Sequence, residues 1–379
     1  FDGDGDLDAI VSNRFSDDAS VLLGRGDGTF GPQLRLPVGE FPLCVVLGDL
    51  NGDGVLDAIV ANEFSNDASV LFGVGDGTFV PQPRVPVGEG PLSIALGDLN
   101  MDGVLDAVLA NVFSDDASVL LGRGDGTFEP QRLVVAGDYP LGVALGDLNG
   151  DGVLDAVVAN LGSADASSLI GRGDGTFEPQ RRFAVGEAPY DVMLGDLNRD
   201  GVLDAVVPNL NSDDVSVLMG RGDGTFEPQR RFSAGDEPSS LVLSDVNGDG
   251  LLDAVVANLA SNDMSVLLGR GDGTFEIQQR FEAGIGPRGV MVGDVNGDGI
   301  LDAVVANVYS DELSVLFGNC EPAALCPADV DGNGALTLFD FLAFQNLFDM
   351  GDPAADFDGD GVLTLFDFLA FQNAFDAGC

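Results

Sequence analysis

One string recurs along this chain at a fixed interval. Asp-(Leu/Val)-Asn-x-Asp-Gly-x-Leu-Asp begins at Asp49, Asp98, Asp147, Asp196, Asp245 and Asp294, each copy 49 residues after the last. A second string, Gly-x-Gly-Asp-Gly-Thr-Phe, begins at Gly24, Gly73, Gly122, Gly171, Gly220 and Gly269 with the same spacing, and fades at Gly318. A period of this size marks one supersecondary unit that cannot bury its apolar face alone and must pack against copies of itself. The chain is therefore expected to form a ring or a solenoid.

Each unit holds four short runs of strand character separated by Gly, Asn and Asp turns. In the fifth they fall at 191–194, 204–207, 216–219 and 228–234. The second run reads Ala-Val-Val without polar alternation, as suits a strand covered on both faces. The fourth carries Arg181, Arg182, Arg230, Arg231 and Arg280, charges that would keep an outer edge strand from pairing with other chains. Four antiparallel strands, inner ones apolar and the outermost charged, describe a propeller blade. Seven Asp-rich loops are present if Phe1-Asp2-Gly3-Asp4-Gly5-Asp6-Leu7-Asp8 is the first, lacking its opening Asp. The count leaves the first blade without its inner strand and the seventh without its outer one. The expectation is an all-β seven-bladed propeller, N-terminally truncated in its first blade by roughly 25 residues that would close the ring.

Composition narrows the chemistry. There are 63 Asp and Glu against 16 Arg and Lys, no His, and a formal net charge of −47; every basic residue is Arg. Without His there is no imidazole base or metal ligand, and without Lys no Schiff base. Nucleic acid and anionic membrane surfaces need a positive footprint that this chain lacks. No apolar stretch approaches the ~20 residues of a membrane span.

The Asp-rich loops offer hard oxygen donors at regular positions, the ligand chemistry of calcium. Positions 1, 3, 5 and 9 are Asp49, Asn51, Asp53 and Asp57; then Asp98, Asn100, Asp102 and Asp106; then Asp147, Asn149, Asp151 and Asp155. The series continues with Asp196, Asn198, Asp200 and Asp204, with Asp245, Asn247, Asp249 and Asp253, and with Asp294, Asn296, Asp298 and Asp302. The first loop offers Asp2, Asp4 and Asp8. Gly at position 6 permits the sharp turn. Met101 and Arg199 replace Gly at position 4, which holds no ligand, and are expected to be neutral. Good turn formation alone would explain one such loop. Repeated carboxylates that would repel one another in an empty loop favour calcium with a structural role.

These residues resemble the FG-GAP repeat, also called VCBS, of integrin α-subunit heads and many bacterial secreted proteins, over residues 1–318. The resemblance implies a calcium-stabilised seven-bladed propeller that binds or displays. Arg-Gly-Asp at Arg25, Arg123, Arg172, Arg221 and Arg270 matches the tripeptide that integrins bind, but Val74 replaces Arg in the second copy and the tripeptide reads as part of a hairpin turn.

After Gly318 the period stops, and 319–327 reads as a linker. Two near-copies follow, 329–348 and 356–375, each a twelve-residue loop leading into an apolar helix (339–348 and 366–375). The loop spacing is that of an EF-hand. Side-chain ligands would be Asp329, Asp331, Asn333, Thr337 and Asp340, then Asp356, Asp358, Asp360, Thr364 and Asp367. Loop-then-helix in tandem over 328–379 resembles a dockerin module, a small all-α calcium-binding domain, and the closing Gly378-Cys379 resembles the variant named for that dipeptide. The resemblance implies an anchor to a cohesin-like or surface partner. Its phenylalanines would serve the module's own core or a partner contact in equal measure. Cys326 could pair with Cys379, with Cys320 as competitor, while Cys44 reads as a buried thiol in an inner strand.

Together these features describe a secreted or cell-surface, calcium-dependent binding, adhesion or display protein with up to nine Ca2+ sites, and not an enzyme. The propeller would take a protein or glycan ligand. The alternatives are a propeller lectin, with Tyr139, Tyr190 and Tyr309 as its few stacking platforms, or an accessory part of a secreted polysaccharide-degrading enzyme. Differences between the blades look few and conservative.

Overall fold

The computed structural model describes residues 1–318 together with Phe344, Leu347, Phe348, Ala355, Phe357 and Phe371. The chain divides into two compact units, Phe1–Gly318 and Asn319–Cys379. In the first unit the period becomes seven antiparallel sheets. The third blade shows the pattern: Pro91–Gly97 is followed by Asp106–Asn111, Asp116–Leu120 and Arg132–Val135, paired in chain order from one edge to the other. The first blade has three strands, Ala9–Asn13, Asp18–Leu22 and Leu34–Pro37, and the seventh has Pro287–Gly293, Asp302–Asn307 and Glu312–Leu316. In the second blade the outer strand breaks into Phe79–Pro81 and Val85–Pro86, both paired with Asp67–Gly73. Prolines in this segment remove the N–H groups that a continuous ladder needs.

The second strand of each blade explains the unbroken apolar runs. Every residue of Asp106–Asn111 is buried. Alternate side chains point to opposite faces, so Val108 and Ala110 pack with Ala156 and Val158 of the fourth blade, while Ala107 and Leu109 pack with Ile59 and Ala61 of the second. The core is thus a series of inter-blade seams, and removing a side chain such as Leu109 costs about 2–5 kcal/mol. Outer strands are exposed, as their arginines require.

Because neighbouring strands alternate in direction, each Asp-rich loop (first to second strand) shares one end of the ring with the Gly-Asp-Gly-Thr-Phe turn (third to fourth strand). The turn binds the loop of the preceding blade: Gly126 N–H donates to Leu50 O at 2.9 Å, Gly175 to Leu99 O at 3.3 Å and Gly224 to Leu148 O at 3.2 Å. Gly28 N–H donates to Val295 O at 2.9 Å, so the same bond joins the seventh blade to the first and closes the ring. The turns between second and third strands and the links between blades gather at the opposite end.

In the second unit Phe344, Leu347, Phe348 and Phe371 are helical. Phe344 stacks on Phe371 with ring centroids 4.0 Å apart, and Phe357 meets both edge-on. Phe344 and Phe371 are buried, so these aromatics are core of their own unit. The ligand assignments in 329–367 and Cys320, Cys326 and Cys379 lie outside the described residues.

Candidate functional site

Each Asp-rich loop is wound around its own side chains. Asp49 Oδ1 accepts N–H bonds from Gly52 at 2.7 Å and Asp53 at 3.2 Å, and Oδ2 accepts one from Gly54 at 2.9 Å. Asn51 Oδ1 takes the Asp53 N–H at 2.9 Å, and Asp53 Oδ1 takes the Val55 N–H at 2.8 Å. The loop at Asp147 repeats all five bonds. Asn and Asp favour such turns because their short side chains reach the backbone two residues on. In five loops the position-3 amide also donates to the position-5 carboxylate, from Asn100 to Asp102 at 2.9 Å and from Asn198 to Asp200 at 2.8 Å, for example. An Asp in that place would repel its neighbour.

Position 9 has a task the sequence did not reveal. Asp57 is fully buried; its Oδ2 accepts the Leu50 N–H at 3.0 Å and its Oδ1 the Gly73 N–H at 2.9 Å. It clamps the loop to the end of the third strand. Asp106, Asp155, Asp204, Asp253 and Asp302 do the same. Asp8 likewise bonds the Gly24 N–H, at 2.8 Å, and the backbone nitrogen of Phe1. Gly73 is obligatory there, since a Cβ would stand 2.2 Å from Leu56 O. Burial pushes the carboxyls of Asp57, Asp106, Asp155, Asp204 and Asp253 up, Asp204 to about 6, with the two N–H donors opposing it and the position-5 and position-1 charges adding to the push.

Among the described residues no three Asp, Glu, Cys or His groups converge closely enough to hold a metal ion. The donor set still suits a hard cation: it consists of carboxylate and amide oxygens, and the clamp oxygens keep a lone pair each beyond their single N–H bond. Position 4 corrects the sequence reading. Gly52 and Gly150 are left-handed there, with φ of 77° and 76°, and Met101 and Arg199 are forced to 60° and 61°. That conformation strains a side-chain-bearing residue, so these two replacements are not neutral. The Arg-Gly-Asp segment is confirmed as hairpin turn: Asp125 Oδ1 accepts both the N–H and the hydroxyl of Thr127, and the hydroxyl bond in particular holds its carboxyl below the usual range.

The profile of the FG-GAP-like repeat matches residues 1–60, 49–109, 105–158, 209–256 and 245–305. The chain belongs to the FG-GAP repeat family. No curated protein sequence matches this FG-GAP chain. Solved structures share its fold. A functionally unknown protein from Desulfotomaculum acetoxidans aligns with a TM-score of 0.60 at 12% identity, covering 82% of this chain and 92% of the other. The periplasmic gluconolactonase of Pseudomonas aeruginosa aligns at 0.57 with 17% identity, covering 83% and 99%. A lectin of Agrocybe aegerita that recognises non-reducing terminal N-acetylglucosamine aligns at 0.50 with 19% identity, covering 81% and 86%.

The opposite end of the FG-GAP ring overturns the expectation that blades differ little. The residue after the second strand is Val112, Leu161, Leu210, Leu259 and Val308 in five blades, but Arg14 and Glu63 in the first and second. The next residue is aromatic in the seventh, first, second and third blades (Tyr309, Phe15, Phe64, Phe113) and Gly162, Asn211 or Ala260 in the others. All four aromatics are more than half exposed. Aligning the sequence on its own period would have found them; counting tyrosines did not. The fifth blade also departs from its expected inner strand over 191–194: the strand is only Met193–Gly195, where its counterparts run seven residues. Asp191 spends its carboxylate on the Val192 N–H at 2.8 Å instead.

Proposed function

We propose that this FG-GAP chain is a calcium-stabilised extracellular or cell-surface binding and display protein, with the propeller as its platform. The observation that carries the reading is the seven-fold recurrence of oxygen-rich loops at one end of the ring. Residues at positions 1, 3 and 5 would hold the ion, and the position-9 carboxylate would tie it to the blade. The buried carboxylates next to other acidic groups give such an ion a charge to neutralise. Binding rather than catalysis is the better reading, because the clustered Asp side chains are taken up by backbone N–H groups of their own loops. Shared fold with a lactonase and a lectin fits either class, since propellers host both. The segment 328–379 would act as a dockerin-like anchor with calcium in its two EF-hand loops.

A calcium titration of thermal unfolding tests this. The propeller transition should rise with calcium and fall with chelator, and capture of a cohesin-like partner through 328–379 should require calcium. Unchanged melting under chelator would remove the central claim.

A further inference from the structure

At the end of the ring away from the Asp-rich loops, charged and aromatic side chains from four blades meet where most blades carry aliphatic residues. In the second to seventh blades the turn there is clasped to the inter-blade link, as in Glu63 N–H to Phe41 O at 3.0 Å and Leu161 N–H to Tyr139 O at 2.9 Å. The residue donating this bond is apolar in five blades and is Glu63 in the second, while Arg14 holds the equivalent position in the first, so the bond itself asks for neither charge. Glu63 is 8% exposed, and its Oε2 has no hydrogen-bond partner; neither does the buried Arg14 Nε. Unpaired buried polar atoms of this kind are costly to a fold. From the facing blades, Tyr190 and Arg288 stand where other inner strands carry Leu43, Leu92 and Leu141. Arg288 donates to the Tyr190 hydroxyl and lies over its ring, 5.3 Å from the centroid.

Burial, then the charge of Arg288, pulls the Arg14 guanidinium down, with Glu63 acting against them. Among the described residues neither arginine has an ion-pair partner, although the outer-strand arginines do. Arg14 rests on the Phe41 ring at 4.0 Å, and Phe41 stacks on Phe64 with centroids 4.2 Å apart and planes 9° from parallel. Phe41 holds a left-handed φ of 61°, as Tyr139, Ala188 and Glu237 do in other blades at 54°, 56° and 55°, with Gly90 and Gly286 in the remaining two. A buried Glu63 oxygen and a buried Arg14 Nε without hydrogen-bond partners, beside the Arg288 and Tyr190 pair, point to a ligand.

We propose that Arg14, Arg288, Tyr190 and Glu63 form a binding site for a carboxylate-bearing sugar of an acidic polysaccharide, flanked by Phe64 as a stacking platform. The arginines supply planar donor forks that match a carboxylate. The Glu63 oxygen and the Tyr190 hydroxyl suit sugar hydroxyls. Glu63 repels a phosphate dianion about twice as strongly as the single charge of a sugar carboxylate, and a sugar brings several hydroxyls for the Glu63 acceptor and the Tyr190 hydroxyl. The proposal rests on reading the chain as a binding protein and names the ligand class of its platform.

The test is calorimetric binding of oligogalacturonate and of its carboxyl-reduced, neutral counterpart to the calcium-loaded 379-residue chain. The acidic oligomer should bind and the neutral one should lose about 10-fold or more. Arg14→Gln and Arg288→Gln should each weaken binding about 10- to 100-fold without moving the melting temperature, and Arg288→Lys should restore part of the loss. Equal affinity for both oligomers, or binding that disappears with chelator yet ignores both arginine substitutions, overturns the site; the latter would place the sugar on calcium at the Asp-rich end. Binding of an acidic peptide but not the oligomer, with the same arginine dependence, overturns the sugar class. In these cases the chain still binds, so its reading as a binding protein stands. Turnover of the oligomer would overturn that reading as well.

Discussion

The two ends of this propeller obey different rules. At the end that carries the Asp-rich loops, every blade repeats the same side-chain bonds, and a glycine is kept wherever a Cβ would meet a carbonyl. At the other end, equivalent positions hold Val, Leu, Arg or Glu, and Phe, Tyr, Gly, Asn or Ala. Repetition is enforced where each blade must lock its loop and grip its neighbour. Divergence is confined to the two turn positions after the second strand, which bond through backbone atoms, while the Asn, Ser and Asp side chains of the same turns still repeat their bonds, as from Asn62 and Ser65 to Asp67 and from Asn111 and Ser114 to Asp116. The contrast is one between a uniform face and a variable face, the second being the face proposed for recognition.

Four measurements would break or sharpen that contrast. The largest effect should come from the clamp. Asp106→Ala strands the N–H groups of Leu99 and Gly122, and should lower propeller stability by about 2–5 kcal/mol in denaturant unfolding. Arg14→Gln at the other end should leave it nearly unchanged. Similar losses at both ends would erase the distinction. Next comes the ion: saturating a single loop at 100 times its dissociation constant adds about 2.7 kcal/mol. The gain should be blunted by Asp98→Asn with Asp102→Asn and untouched by any substitution at the aromatic end, as read from melting curves with and without chelator.

A smaller effect should appear with pH. Burial raises the Asp191 carboxyl from 3.8 to about 6, with the N–H groups of Val192 and Leu241 acting against it. A folded pKa above the unfolded one stabilises the protein fully below pH 3.8, and that contribution is lost as pH rises through about 6. Asp191→Asn should therefore gain on the wild type between pH 4 and 7, measured as a difference in melting temperature; a flat difference would show that Asp191 ionises freely. The smallest effect belongs to position 4. Met101→Gly and Arg199→Gly relieve left-handed side-chain-bearing residues and should each stabilise by about 1 kcal/mol. A destabilised Arg199→Gly would mean that the Arg199 bond to Gly250 O outweighs the strain.

Much of the scaffold end was legible beforehand. The period gave the blade number, strand order and edge-strand charges, because each unit carries its own local instructions: Asx turns, glycines at bends and apolar runs. The role of Asp57 was only half legible. Its oxygen chemistry suggested a ligand, yet its partners, Leu50 N–H and Gly73 N–H, sit at the two ends of a folded hairpin. The variable end was hardly legible at all, since its residues look like tolerated variation when read one blade at a time.

What the sequence determined by itself is whatever lies within one repeat, where residues that bond are less than 49 positions apart and the same solution is written again in each copy. What only the tertiary structure decided is what meets across the ring. Arg288 and Tyr190 are separated by 98 residues, and they touch because the closed ring brings the ends of inner strands from different blades together. No local propensity encodes that meeting; the curvature that produces it is a property of seven blades packed seam to seam.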